Sequence, residues 1–211
     1  MCIRPSCVYY QRVDDLTAFI LAGGRSSRMG QDKAFLKLGG NTLLERALEL
    51  AGSVAAHVRI VAPQERFLTV ARTIEDTYPD CGPLGGIHAA LSRTTTELNL
   101  VLAVDLPFVE PDFLSYLVAQ ASQTAALVTV PQADGGWQPL CAVYRRDFGA
   151  IAERALQRNH NKIDSLFTPA ETRAINEAEM QRRGYSLHMF RNLNIPADFQ
   201  NAEKSFRERK S

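Results

Sequence analysis

The chain alternates short apolar runs with amphipathic stretches over most of its length. Thr17 to Leu21 is an apolar run closed by glycines, which predicts a buried strand opening into a loop. Thr42-Leu43-Leu44-Glu45 has the S/T-x-x-E pattern of a capping box, and Leu43, Leu44, Ala47, Leu48 and Ala51 recur at helical spacing. His57 to Ala62 reads as a second strand stopped by Pro63, with a short helix after it over Gln64 to Ala71. Ile74 to Asp76 predicts a brief third strand, Tyr78 to Gly86 a turn-rich stretch, and Ile87 to Arg93 a helix.

Leu98 to Val104 is almost continuously apolar, as in strands buried on both faces of a parallel sheet, and it ends on Asp105. A helix is predicted from Pro111 to Ala121, with proline in its first turn, then a strand over Ala126 to Pro131. Gln138 to Tyr144 alternates like a strand, and Phe148 to Gln157 has helical spacing. This order of strands and helices predicts an α/β fold, a single domain built on a doubly wound, mostly parallel sheet. The domain is placed at residues 15–205, between tails at 1–14 and 206–211. Such sheets bind ligands beyond the carboxyl ends of their strands. The loop after the first strand and Asp105 both fall there, so they are expected to share one crevice.

Composition narrows the partners. The 211 residues, 45% of them hydrophobic, suffice for one sizeable core. With 24 basic and 23 acidic residues there is no global field to recruit nucleic acid or an anionic membrane. No apolar run approaches the roughly 18 residues of a spanning helix, and the N-terminal stretch lacks the apolar centre of a secretory signal. A cytoplasmic protein is expected. Cys2, Cys7, Cys81 and Cys141 have neither metal-site spacing nor the density of a disulfide scaffold, and are read as reduced thiols.

The chemistry concentrates in Leu21 to Ala34, "LAGGRSSRMGQDKA". Gly23, Gly24 and Gly30 let backbone approach an anion, and Arg25, Arg28 and Lys33 supply cations, which suits a phosphate. The spacing is neither that of the P-loop nor G-x-G-x-x-G. Asp105, followed by Leu106 and Pro107, is a carboxylate at a strand end suited to Mg²⁺, which takes its remaining ligands from water and substrate phosphates. Taken alone, Asp105 also reads as a turn or capping residue, and it is the cationic loop that favours the metal. In Asp76 to Gly86, "DTYPDCGPLGG", Gly82, Gly85 and Gly86 can bring backbone near a nucleotide and Asp76 can accept from ribose or base. These residues do not fix which base is read. His57, His88, His160 and His188 are read as structural or surface residues.

With these parts the chain resembles the molybdenum cofactor guanylyltransferases, the family of molybdopterin-guanine dinucleotide biosynthesis protein A. The resemblance rests on Leu21-Ala22-Gly23-Gly24 with Arg28-Met29-Gly30 and Asp32-Lys33, on Gly82-Pro83-Leu84-Gly85-Gly86, on Asp105-Leu106-Pro107, on Gln138-Pro139-Leu140, and on Asn192-Leu193-Asn194-Ile195-Pro196. The first motif is shared with the wider nucleotidyltransferase superfamily. The others narrow it.

The resemblance implies a Rossmann-like nucleotidyltransferase fold and transfer of GMP from GTP to the phosphate of molybdenum-molybdopterin, with Mg²⁺ and release of pyrophosphate. It places nucleotide contacts at Leu21, Ala22, Gly23, Gly24, Lys33, Asp76 and Asp105, and the metal on Asp105. Arg25, Lys33 and Asp105 are the expected catalytic residues, and Gln138, Pro139, Asn192 and Asn194 the acceptor-side ones. Ala62 is a weaker candidate contact. Cofactor-synthesis proteins or recipient molybdoenzymes are the implied transient partners. Three alternatives stay open: a cytidylyltransferase of the same cofactor, a sugar-1-phosphate nucleotidyltransferase, and a non-catalytic adaptor that binds a nucleotide and carries the cofactor.

Overall fold

The structure is a computed structural model and describes residues 13–23, 32–63, 67, 73–193, 198–199 and 202–203. In chain order the strands are β1 (Val13–Leu21), β2 (Lys37–Leu38), β3 (Asn41–Thr42), β4 (Ala55–Val61), β5 (Thr73–Ile74), β6 (Leu98–Ala103), β7 (Val128–Ala133), β8 (Gly136–Trp137), β9 (Cys141–Arg145) and β10 (Thr172–Ile175). The helices are α1 (Leu43–Gly52), α2 (Pro83–Ser92), α3 (Pro111–Ser122), α4 (Phe148–Gln157) and α5 (Glu177–Arg182).

The main sheet has the order β10-β7-β9-β6-β1-β4-β5, with β8 paired to β7. β1 is parallel to β4 and β6, β4 to β5, and β10 to β7, whereas β9 runs antiparallel to both β6 and β7. Period-two alternation sends β1 into two cores. Leu16, Ala18 and Ile20 face the core shared with α1 and α3, while Phe19 and Leu21 face the one shared with α2 and α4. All six residues of β6 are buried. Its one polar residue, Asn99, is satisfied by donating to the carbonyls of Thr96, Glu97 and Tyr144.

The capping box forms: Glu45 N–H donates to Thr42 Oγ1 at 3.1 Å and Thr42 N–H to Glu45 Oε2 at 2.7 Å. Elsewhere the boundaries differ from the pattern reading. α2 starts at Pro83 rather than Ile87, because Gly82 at φ +66° ends the turn and Pro83 occupies a first-turn position that costs no hydrogen bond. The strand expected from Gln138 starts at Cys141, since Cys141 N–H donates to Gln138 O at 3.0 Å and closes a turn. β4 begins at Ala55, β7 extends to Ala133, and the third strand occupies Thr73–Ile74. β10, α5 and the β2–β3 and β7–β8 hairpins were not anticipated. The helix expected over Gln64 to Ala71 lies outside the described residues, apart from the buried Phe67.

Among the described residues no helix is long and apolar enough to cross a membrane. Cys81 and Cys141 are free thiols, and complete burial pushes the Cys141 thiol up to about 12.

Candidate active site

A line of backbone hydrogen bonds ties the strand ends together at one edge of the sheet. Val104 N–H donates to Leu21 O at 3.2 Å, Ala22 N–H to Val61 O at 3.0 Å, Ala62 N–H to Ile74 O at 3.0 Å and Ala103 N–H to Leu140 O at 2.8 Å. Leu21, Ala22 and Ala62 are buried there, and Gly23 is exposed. The edge carries the expected nucleotide contacts of the first loop as far as they are described. Gly24, Arg25, Arg28 and Gly30 lie outside the described residues, as do Cys2, Cys7 and Asn194.

Lys33 returns to this edge on a short 3-10 turn, Lys33–Phe35. The Asp32 carboxylate caps the turn by accepting from Ala34 N–H at 3.1 Å, and Ala34 is fully buried, so the turn is anchored on both sides of Lys33. Lys33 Nζ lies 3.4 Å from Asp105 Oδ2, across 72 residues of sequence. Their side chains are 19% and 21% exposed, a pair within reach of a ligand. The loop cation and the strand-end carboxylate, expected from the sequence to lie at the same edge, are therefore in contact.

Asp76 sits beyond β5 on the other flank of β1. Tyr78 N–H donates to Asp76 Oδ1 at 2.8 Å. A Cβ at position 85 would stand 2.4 Å from Asp76 Oδ2 and 2.8 Å from Tyr78 O, so glycine in the first turn of α2 is what lets the carboxylate pack there. Burial raises the Asp76 carboxyl above the usual carboxylate value, opposed by the Tyr78 amide and by His88. His88 is buried, edge-on to Tyr78 at 5.1 Å and 3.4 Å from Thr77 Oγ1, a packing role that agrees with its reading as structural. A Cβ at Gly86 would meet Leu21 and Val61 side chains at 3.4–3.8 Å, which places the start of α2 over the ends of β1 and β4.

The residues expected on the acceptor side, as far as they are described, lie on the opposite flank of Asp105. Gln138 is engaged in closing its own loop: its N–H donates to Pro131 O at 2.9 Å and its Nε2 to Ala133 O at 3.4 Å. Pro139 O accepts from the Tyr144 hydroxyl at 2.8 Å. Asn192 is exposed, and the next residue, buried Leu193, donates its N–H to Asp105 O at 3.2 Å. That bond was not anticipated, although the alternation of Asn192, Leu193 and Asn194 holds its signal, an inward apolar residue between two amides. A second tie reinforces it, with the His188 ring tilted against Phe108 at a centroid distance of 5.3 Å and Arg191 Nη1 3.1 Å from His188 Nε2.

No group of three or more His, Cys, Asp or Glu side chains capable of holding a metal occurs among the described residues. A lone strand-end carboxylate still fits Mg²⁺, which commonly takes one or two protein carboxylates and completes its shell with water and substrate phosphates.

Residues 18–173 match the family described as the MobA-like NTP transferase domain. The chain belongs to that family. A molybdenum cofactor guanylyltransferase of Desulfosudis oleivorans is 31% identical over 198 residues, covering 92% of this chain and 98% of that protein. The structure of molybdopterin-guanine dinucleotide biosynthesis protein A from Archaeoglobus fulgidus superposes with a TM-score of 0.79 at 26% identity, covering 91% of this chain and 99% of that one. A CMP:2-keto-3-deoxy-manno-octonic acid synthetase complexed with CTP gives a TM-score of 0.71 at 12% identity over 92% of this chain and 99% of that one, a likeness of fold alone. This MobA-like chain is a nucleotidyltransferase with a Rossmann-like α/β fold.

Proposed function

We propose that this MobA-like enzyme transfers GMP from GTP to the terminal phosphate of molybdenum-molybdopterin, releasing pyrophosphate. The observation that carries the reading is the contact between Lys33 and Asp105, a cation from the glycine loop and a carboxylate from the β6 end brought together at the ligand-binding edge. The names of the Desulfosudis and Archaeoglobus relatives support the choice of base and acceptor.

The acceptor's phosphate oxygen attacks the α-phosphorus of GTP, and the bond from that phosphorus to the bridging oxygen of pyrophosphate breaks in line. The attacking phosphate monoester has a second pKa of about 6, so it is largely dianionic near neutrality and needs no general base. What the reaction needs is two polyanions held together with their charge neutralised. Lys33 then moves from Asp105 to the triphosphate. Arg25 would add charge from the glycine loop, with the backbone at Leu21 to Gly23 along the phosphates. Asp105 would hold Mg²⁺, which would supply the further positive charge that offsets the transition state. Asp76 accepts from the nucleoside, and the amides of Asn192 and Asn194, with Gln138 and Pro139, border the acceptor.

The test is pyrophosphate release on mixing the chain with Mg²⁺, molybdenum-molybdopterin and either GTP or CTP. Release with GTP and little with CTP is expected. Preference for CTP would replace guanylyl by cytidylyl transfer, and silence with both would favour an adaptor that binds without turnover.

A further inference from the structure

The chain has a single tryptophan, Trp137, and it stands half-buried in β8 directly before Gln138 and Pro139. β8 pairs with the carboxyl end of β7, Gln132 opposite Trp137, so the indole lies at the same edge of the sheet as Asp105. Three residues on, Leu140 O accepts from Ala103 N–H at 2.8 Å, two residues before Asp105.

The ring is fixed from behind. Trp137 meets Phe167 edge to face at 5.4 Å with an interplanar angle of 80°, Phe167 meets Phe148 at 6.3 Å, and Phe148 meets Tyr144 at 5.0 Å. Tyr144 is fully buried, and its hydroxyl donates to Pro139 O. A row of four aromatics thus runs from the core to the rim and ends on the indole, whose N–H makes no hydrogen bond among the described residues. A rigid, partly exposed indole loses little entropy when a flat ligand lies against it, and its free N–H can still donate. The nucleoside side is elsewhere: Asp76 follows β5, whereas Trp137 adjoins β7, and β9, β6, β1 and β4 lie between those strands.

We propose that Trp137 is a binding residue for the acceptor, a platform on which its fused heterocycle stacks while its phosphate reaches Asp105. This rests on the guanylyl-transfer reading for the identity of the heterocycle as a pterin. The experiment measures steady-state kinetics of the full chain with molybdenum-molybdopterin and GTP, and calorimetric binding of 7,8-dihydropterin alone. Trp137→Ala should raise the KM for molybdenum-molybdopterin about tenfold, with kcat and GTP affinity little changed and a melting temperature lowered by the packing lost against Phe167. Trp137→Phe should restore most of it, and Trp137→Leu should not. An unchanged acceptor KM in Trp137→Ala, or equal rescue by Leu and Phe, would overturn the stacking role, as would a loss confined to GTP binding. Should no pyrophosphate form with any nucleotide, the transfer reading fails, yet Trp137 is still decided: dihydropterin binding that is lost in Trp137→Ala and kept in Trp137→Phe supports the platform, and its absence from the unaltered chain overturns it.

Discussion

Two ion pairs on the same sheet are built in opposite ways. Lys33 touches Asp105 through one nitrogen at 3.4 Å at the strand-end edge. On the far flank Arg173, from β10, grips Glu179, from α5, at 2.6 and 3.1 Å and also donates to Gln120 at 2.9 Å, while the Tyr116 hydroxyl closes on the same carboxylate. The Arg183 guanidinium covers the Tyr116 ring at 4.2 Å. A guanidinium fork fits a carboxylate in fixed geometry, whereas an ammonium is a mobile point charge on a long stem. The tight pair ties β10, α3 and α5 together. The Lys33–Asp105 pair, held by one longer contact, is the more easily opened of the two, as the proposed exchange of polyanions would require.

The contrast breaks most visibly at Asp105. Asp105→Ala should lower Mg²⁺-dependent turnover by about 10³-fold, with melting temperature little changed, and near-normal turnover would remove it from the metal role. Lys33→Ala comes next, with a loss of about 10²-fold in kcat/KM and weaker GTP binding, read by steady-state kinetics and calorimetry.

On the far flank the effect moves from rate to stability. Glu179→Gln should cost roughly 1–3 kcal/mol of unfolding free energy, measured by urea denaturation, with kcat unchanged. Burial alone would raise the Glu179 carboxyl, but hydrogen bonds from Arg173 and Tyr116 outweigh it and hold the group below its usual value. A lowered carboxylate contributes stability that is complete above its unfolded pKa and is lost as pH falls through the folded one. The unaltered chain should therefore lose part of its stability on acidification below about pH 4.3, and Glu179→Gln should show less of that loss. The smallest effect belongs to the exposed cap: Thr42→Ala should cost about 1 kcal/mol by the same denaturation, without touching either ion pair.

How much of this could be read in advance follows from where the information lies. Asp105 was legible because the almost continuously apolar run Leu98 to Val104 leads into it, and Lys33 because cations crowd the loop after another apolar run. Strand-end geometry then brings them together whatever lies between. The start of α2 was not legible, since Gly85 and Gly86 have low helix propensity and earn their place through close approach to Asp76 and Leu21. β10 was missed because Thr172, Arg173 and Ala174 are only half-buried and Arg173 is committed to a partner that the chain order hides. Gln138 was singled out for the acceptor side, and in the structure its amide serves the loop that carries it.

The reversed direction of β9 has a consequence for how such an enzyme changes substrates. Parallel neighbours reach the reactive edge with their last residues and must be followed by a return crossover. β9 reaches it with its first, Cys141, straight from a hairpin. The stretch between β7 and β9 can therefore be lengthened or replaced without rethreading the sheet, at an entropic cost that grows only slowly with length. The half of the sheet made of β1, β4 and β5 has no such freedom, because its loops feed the crossovers that set strand order. On the reading proposed above, this strand direction would let the acceptor side vary while the nucleotide side stays constant.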